Sequence, residues 1–134
     1  MTLVLDTSAL LALAVDRRER QIVADALTVD STWCASALAL AEALPAIDRL
    51  IDEPTLRADL EDSIRRVWDT IHVIPVDQAC LDEAADLARR HPLHLANAIH
   101  LAAARRLPAP ITFCTFDASQ IPVALSLGYE VRSS

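Results

Sequence analysis

Apolar positions along this chain fall into two kinds of segment that alternate from end to end. The first kind is a short apolar run. Leu3–Leu5, ended by Asp6 and Thr7, has the form of a parallel strand buried on both faces, and Thr32–Ala35, IHVIPV at 71–76, Ile111–Thr115 and Tyr129–Arg132 are the other strand segments. The second kind has helical character. Ser8–Val15 reads as a short helix and Arg18–Leu27 as a more polar one. Ser36 stands where it would cap an Ala-Leu helix running to Pro45, with Ile47–Ile51 continuing beyond a kink.

Glu53-Pro54-Thr55 is a break, and Thr55 is placed to cap a helix from Leu56 to Thr70, whose Leu56, Leu60, Ile64, Val67 and Trp68 share one apolar face. Asp77 caps a helix to Arg90. His91-Pro92 opens the next, because proline is tolerated in a first turn, and that helix runs to Leu107 before Pro108 and Pro110 end it. Ala118–Leu127 is helical with Pro122 near its start, and Gly128 is its C′ stop. Strands alternating with helices specify βαβ units: one α/β domain spanning 1–134, with a mostly parallel sheet covered on both faces.

Composition narrows the function more than the fold. At 134 residues, 53% hydrophobic and 23% charged, the chain supports one globular core without staples. No stretch reaches the roughly 18 uncharged apolar residues of a membrane span. The first residues, MTLVLDTSALLALAV, lack a basic leader and carry Asp6, so the protein is expected in the cytoplasm and away from membranes. Cys34, Cys80 and Cys114 are odd in number, widely spaced and set among apolar neighbours, as small buried hydrophobes in a reducing compartment are. The net charge of −7 argues against a generic nucleic-acid binder but suits an enzyme that gathers carboxylates around a divalent cation. A single glycine, Gly128, excludes phosphate-binding glycine loops.

Three acids and one amide then stand out. Asp6 and Asp117 follow strands, where ligands of parallel α/β sheets bind, although each is also an ordinary helix cap or turn residue. Glu42 lies in SALALAEALPAI, where its neighbours are apolar. An ionised carboxylate there needs a cation, a metal or a hydrogen-bonding partner unless the Ala-rich face is simply solvated. Asn97, in HPLHLANAIHLAAARR, poses the same question without a charge. Converging on one pocket, the four would supply oxygen ligands for Mg²⁺ or Mn²⁺, and with them phosphodiester hydrolysis.

LVLDTSALLAL, SALALAEAL, LANAIHLAAARR and ITFCTFDASQIPVALSLGYEV, in that order and over nearly the whole chain, resemble the motifs of PIN-domain ribonucleases, specifically the VapC-type toxins of type II toxin-antitoxin systems. The resemblance implies a three-layer α/β/α fold around a parallel sheet of four or five strands. It also implies Mg²⁺- or Mn²⁺-dependent endonucleolytic cleavage of single-stranded or loop RNA. Asp6 matches the first family acid, a direct metal ligand; Glu42 matches the second; Asp117 matches the last, which holds metal through water. Asn97 occupies the third acid position, where the family has a metal-ligating aspartate. An amide oxygen can coordinate Mg²⁺ but brings no charge, which weakens metal affinity and the acidity of bound water, so activity is expected to be impaired. The resemblance further implies a homodimer and a VapB-type antitoxin whose carboxy-terminal segment fills the active-site groove. A second reading stays open, a non-catalytic PIN-like module that binds RNA or a protein partner.

Lesser candidates surround these. Thr7, Ser8 and Thr115 flank the acids, where their hydroxyls suit hydrogen bonds to metal waters or phosphate, or serve as caps and strand ends. His94 and His100 lie three residues either side of Asn97, where one helix face can carry all three; a satisfied structural histidine is favoured over a ligand. Arg17, Arg18 and Arg20, and Arg105 with Arg106, are basic clusters that suit phosphate or the solvated ends of helices. Trp33 and Trp68 follow apolar periods and are expected in the core or an interface.

Overall fold

The apolar runs become the strands of one sheet: β1 (Thr2–Leu5), β2 (Thr32–Ser36), β3 (His72–Ile74), β4 (Ile111–Cys114) and β5 (Glu130–Arg132). The computed structural model describes residues 2–15 and 17–134, with Arg17 described by its backbone alone. Every neighbouring pair is parallel, in the order β3-β2-β1-β4-β5. Central β1 and β4 are apolar because both of their faces are covered: Leu3, Val4 and Leu5 are fully buried, as are all four residues of β4. The edge strands β3 and β5 are short and partly exposed, which limits pairing with other chains.

Seven helices are present among the described residues: α1 (Thr7–Val15), α2 (Arg17–Val29), α3 (Ala37–Leu50), α4 (Pro54–Trp68), α5 (Gln78–Arg90), α6 (Leu95–Ala104) and α7 (Ile121–Ser126). The period-2 alternation of β1 sorts them into layers. Leu3 and Leu5 pack with Leu10 of α1, Val23 of α2, Ala39, Ala43 and Ile47 of α3 and Ile64 of α4. Val4 and Phe113 face the other way, against Ala84 and Leu87 of α5, the alanines of α6 and Val123 of α7. The result is three layers, α/β/α, with a five-stranded parallel sheet, as the sequence predicts.

Several boundaries differ from the sequence expectation for identifiable reasons. Pro45 does not end α3; it and Ala41, whose carbonyl it leaves without an intrahelical donor, are exposed, so that carbonyl is not shut away from solvent. The cap of α4 is Glu53, which accepts from the amides of Thr55 and Leu56, because Pro54 takes the N1 position and moves the cap one residue ahead. Pro92 does not open α6. The 91–94 segment is a connector, and α6 begins at Leu95 with His94 at its cap. Helix α7 is shorter than expected, Ile121–Ser126, and Gly128 follows it with φ of 85°, a left-handed conformation that glycine adopts at no steric cost.

The winding of the sheet fixes where chemistry belongs. From β1 the chain moves outward to β2 and β3, then crosses back to β4 on the other side of β1. The carboxyl ends of β1 and β4 therefore flank the point where the winding reverses, the place where open α/β sheets bind ligands. The three cysteines are buried and free, and burial pushes the Cys114 thiol up to about 12, so they act as packing groups. Among the described residues no helix is long and apolar enough to cross a membrane.

Candidate active site

Asp6 follows β1 directly and is 1% exposed. Its Oδ1 accepts from the Ser8 hydroxyl at 2.7 Å and the Ala9 amide at 2.9 Å, so it also caps α1. Its Oδ2 accepts from the Thr115 hydroxyl at 2.6 Å and the Gln120 amide nitrogen at 2.8 Å. The two hydroxyls work as relays. Ser8 Oγ accepts the Phe116 amide and Thr115 Oγ1 accepts the Asp117 amide, so each hydroxyl has its one proton left for Asp6. The turn after β1 is thereby tied to the loop after β4. Burial raises the Asp6 pKa, opposed by the hydrogen bonds from Thr115, Ser8 and Ala9.

Glu42 lies on α3 beside a second cluster. The α3 stripe that packs inward is Ala39, Ala43 and Ile47, and the Glu42 side chain keeps 35% exposure at its margin. Its Oε1 accepts from Thr7 Oγ1 at 2.6 Å and meets His100 Nε2 at 2.8 Å. His100, 1% exposed, reaches Ser36 Oγ through Nδ1 at 2.8 Å. A carboxylate only accepts, so Nε2 carries the ring proton, and in the neutral ring Ser36 donates to Nδ1. The His100 hydrogen bond, with a smaller one from Thr7, holds the Glu42 carboxyl below its ordinary range against a lesser opposing effect of burial. Ser36 stands at the N-cap position of α3 without capping; its hydroxyl is spent on His100.

Asn97 and His100 lie one turn apart on α6 and both turn toward the sheet ends, whereas His94 is exposed at the N-cap position. Asn97 Nδ2 donates to Asp117 Oδ2 at 2.8 Å and, at 3.4 Å, to Ser119 Oγ. Asp117 Oδ1 accepts the amide and hydroxyl of Ser119. Partial burial works against the Asp117 charge, but these bonds from Ser119 and Asn97 outweigh it and its pKa is lowered. The remaining atom of the Asn97 amide, Oδ1, accepts from Gln120 Nε2 at 3.2 Å. A continuous chain results: Asp6, Gln120, Asn97, Asp117, two carboxylates bridged by two neutral amides.

Asp6, Asn97 and Asp117 are thus brought into one connected cluster with Thr115, Ser8 and Gln120, while Glu42, Thr7, His100 and Ser36 form a separate hydrogen-bonded group. Gln120, Ser36 and Ser119 were not indicated by the sequence. Gln120, just before Ile121-Pro122, has the look of a surface residue at a helix start, yet it is 1% exposed and its Oε1 is buried with no partner. The basic clusters have other uses: Arg105 pairs with Glu83 at 2.9 Å and Arg106 with Asp77 at 2.6 Å. Arg18 and Arg20 are exposed on α2, and the Arg17 side chain lies outside the described residues. Trp33 and Trp68 pack against the core on the α1–α4 side.

Among the described residues no group of three or more His, Cys, Asp or Glu is arranged to hold a metal ion. Two of the four linked side chains are amides. Asp6 Oδ2 and Asn97 Oδ1 both face one point, and the group at that point is the positively polarised Nε2 of Gln120. In kind, carboxylate and amide oxygens fit a hard divalent cation such as Mg²⁺ or Mn²⁺. The other end of that amide, Gln120 Oε1, is buried without a partner.

The PIN domain family model matches residues 3–124 of the chain. Among solved structures, FitAcB from Neisseria gonorrhoeae superposes with a TM-score of 0.72 at 15% identity, covering 98% of this chain and 96% of that one. VapC20 from Mycobacterium tuberculosis, described as a sarcin-ricin loop cleaving toxin, gives 0.71 at 16% identity over 90% and 94%. VapBC-5, a toxin-antitoxin system member from the same organism, gives 0.68 at 19% identity over 99% and 98%. No curated protein matches the sequence.

Proposed function

This chain belongs to the PIN domain family, and from that premise we propose that it is the toxin of a VapBC-type toxin-antitoxin pair, a metal-dependent endoribonuclease muted by its own amides. The whole chain, 1–134, acts as one PIN domain in this reading. The observation that carries it is the position of Asp6 and Asp117 at the adjoining carboxyl ends of β1 and β4, linked through Asn97. Similarity in fold to VapC20, itself described as a sarcin-ricin loop cleaving toxin, supports single-stranded or loop RNA as substrate.

A bound Mg²⁺ or Mn²⁺ would supply Lewis acidity toward the scissile phosphodiester and the attacking water. Asp6 and Asn97 would hold it directly, and Asp117 through water. The chain's own groups do the rest. Ser8 and Thr115 fix both oxygens of Asp6, so it needs no reorganisation on binding. His100 and Thr7 fix Oε1 of Glu42 and favour its ionised form, leaving the carboxylate able to orient a water at the solvent side of the site. Asn97 supplies an oxygen without charge, so less negative potential attracts the cation and less rate results.

A VapB-type antitoxin would cover the strand ends beside these residues, a reading supported by the toxin-antitoxin descriptions of the similar structures. A homodimer is supported by exposed apolar side chains at the α3–α4 junction, Leu50 and Leu56. The cytoplasm is the compartment that holds both RNA and reduced thiols. The test is cleavage of a single-stranded RNA with Mn²⁺ or with chelator. Asn97→Asp should cut faster than the unchanged chain, and only with metal; equal rates, or cleavage insensitive to chelator, would overturn the reading.

A further inference from the structure

Gln120 is the one group in the cluster whose role neither capping nor core packing explains. It precedes the short α7, has only 1% exposure, and throws its amide back under the carboxyl end of β1. Nε2 spends its two hydrogens on Asp6 Oδ2 at 2.8 Å and Asn97 Oδ1 at 3.2 Å. The other end of the same amide, Oε1, is buried and unpartnered. A side chain that leaves one polar atom unsatisfied is held there by what its other end does.

We propose that Gln120 is an internal occupant of the cation position: its amide nitrogen fills the point between Asp6 Oδ2 and Asn97 Oδ1, and a divalent cation binds only by displacing it. This rests on the metal-centre reading above. An amide nitrogen has no free lone pair to offer a metal, so it cannot remain as a ligand where it stands. The Gln120 side chain must withdraw from that point before the oxygens of Asp6 and Asn97 can turn to a cation. Cation affinity is thus limited twice, by the missing charge at Asn97 and by competition from the Gln120 hydrogen bonds.

The two limits separate by substitution. Gln120→Ala removes the occupant and adds no charge; Gln120→Glu keeps the shape and turns the donor into an acceptor. Mn²⁺ binding is measured by the electron paramagnetic resonance of the free ion, which requires no catalysis, alongside thermal unfolding with and without Mn²⁺. Both variants should bind Mn²⁺ at least about tenfold more tightly than the unchanged chain, a difference well within what loss of a competing hydrogen bond provides. Gln120→Glu should also unfold at lower temperature in chelator and recover in Mn²⁺. Gln120→Ser replaces Gln120→Ala if the latter does not fold. If shortening residue 120 leaves affinity unchanged while Asn97→Asp raises it, the occupant is refuted and the metal centre stands. If none of the variants binds Mn²⁺, both are refuted.

Discussion

Asn97 donates to Asp117: its Nδ2 lies 2.8 Å from Asp117 Oδ2, so the residue at the third acid position works in this structure as a hydrogen-bond donor. The amide neutralises nothing, but it satisfies a carboxylate that would otherwise face another carboxylate. In one step it stabilises the cluster without a cation and deprives a cation of a charged ligand.

Asn97→Asp should therefore be destabilising when divalent cations are removed. Asp117 loses a donor and gains a like charge beside it, a loss of about 1–3 kcal/mol. Urea unfolding in chelator should show the deficit, and Mn²⁺ should reverse most of it. A variant as stable as the parent in chelator would mean that the Asn97–Asp117 bond contributes nothing.

His100 is wedged between Ser36 and Glu42, with both ring nitrogens engaged. His100→Ala leaves the Ser36 hydroxyl buried without a partner, strips Glu42 of one of its two hydrogen bonds and opens a cavity. The combined cost should be about 2–5 kcal/mol, read from the denaturant midpoint. A loss within experimental error would contradict the assignment of His100 as the bridge between α6 and the other elements.

The acid limb of stability has a predicted sign. The Glu42 carboxyl titrates below its ordinary value of 4.5 in the folded chain, chiefly through the His100 bond. The stability it contributes is present above the unfolded value and lost as pH falls through the lower folded one. Buried Asp6 is raised and acts in the opposite direction, gaining relative stability as it is protonated. Glu42→Gln should therefore flatten the decline of unfolding free energy below about pH 4.5, leaving the slope near neutrality unchanged. An unaltered acid limb would show that Glu42 is not held in its charged form.

Thr115→Val keeps the shape of a fully buried side chain while deleting its relay. Asp6 loses one donor and the Asp117 amide loses its acceptor, at about 1–3 kcal/mol. Ser8→Ala removes the matching relay on Oδ1, and the double variant should depart from additivity by more than about 0.5 kcal/mol because both hydroxyls serve one carboxylate. Strict additivity in a double-mutant cycle would contradict a shared role.

Much of this arrangement could be read from the chain because parallel strands announce themselves. Leu3-Val4-Leu5 is buried on both faces, so its composition alone gives the strand and makes Asp6 a strand-end acid. Glu42 stood out among alanines and leucines, and it does carry the partners that such a setting demands. What stayed hidden depends on the return of the chain from β3 to β4. That crossover brings residue 120 to within 2.8 Å of residue 6, a contact over 114 positions for which no local pattern prepares. Ser36 shows a related limit. Its place before α3 has the form of a cap, yet His100, 64 residues away, competes for the hydroxyl and wins. Proline is an ambiguous start signal in this chain: Pro54 displaces the cap to Glu53, and Pro92 marks a connector ahead of α6.

The most direct test of a muted metal centre is the anomalous scattering of Mn²⁺ in a crystal of the Asn97→Asp variant. The predicted result is one peak at the carboxyl ends of β1 and β4, bonded by oxygens of Asp6 and residue 97, with Asp117 reached through water and the Gln120 amide withdrawn. The contradicting result is no peak there at saturating Mn²⁺, with Gln120 Nε2 still seated against Asp6.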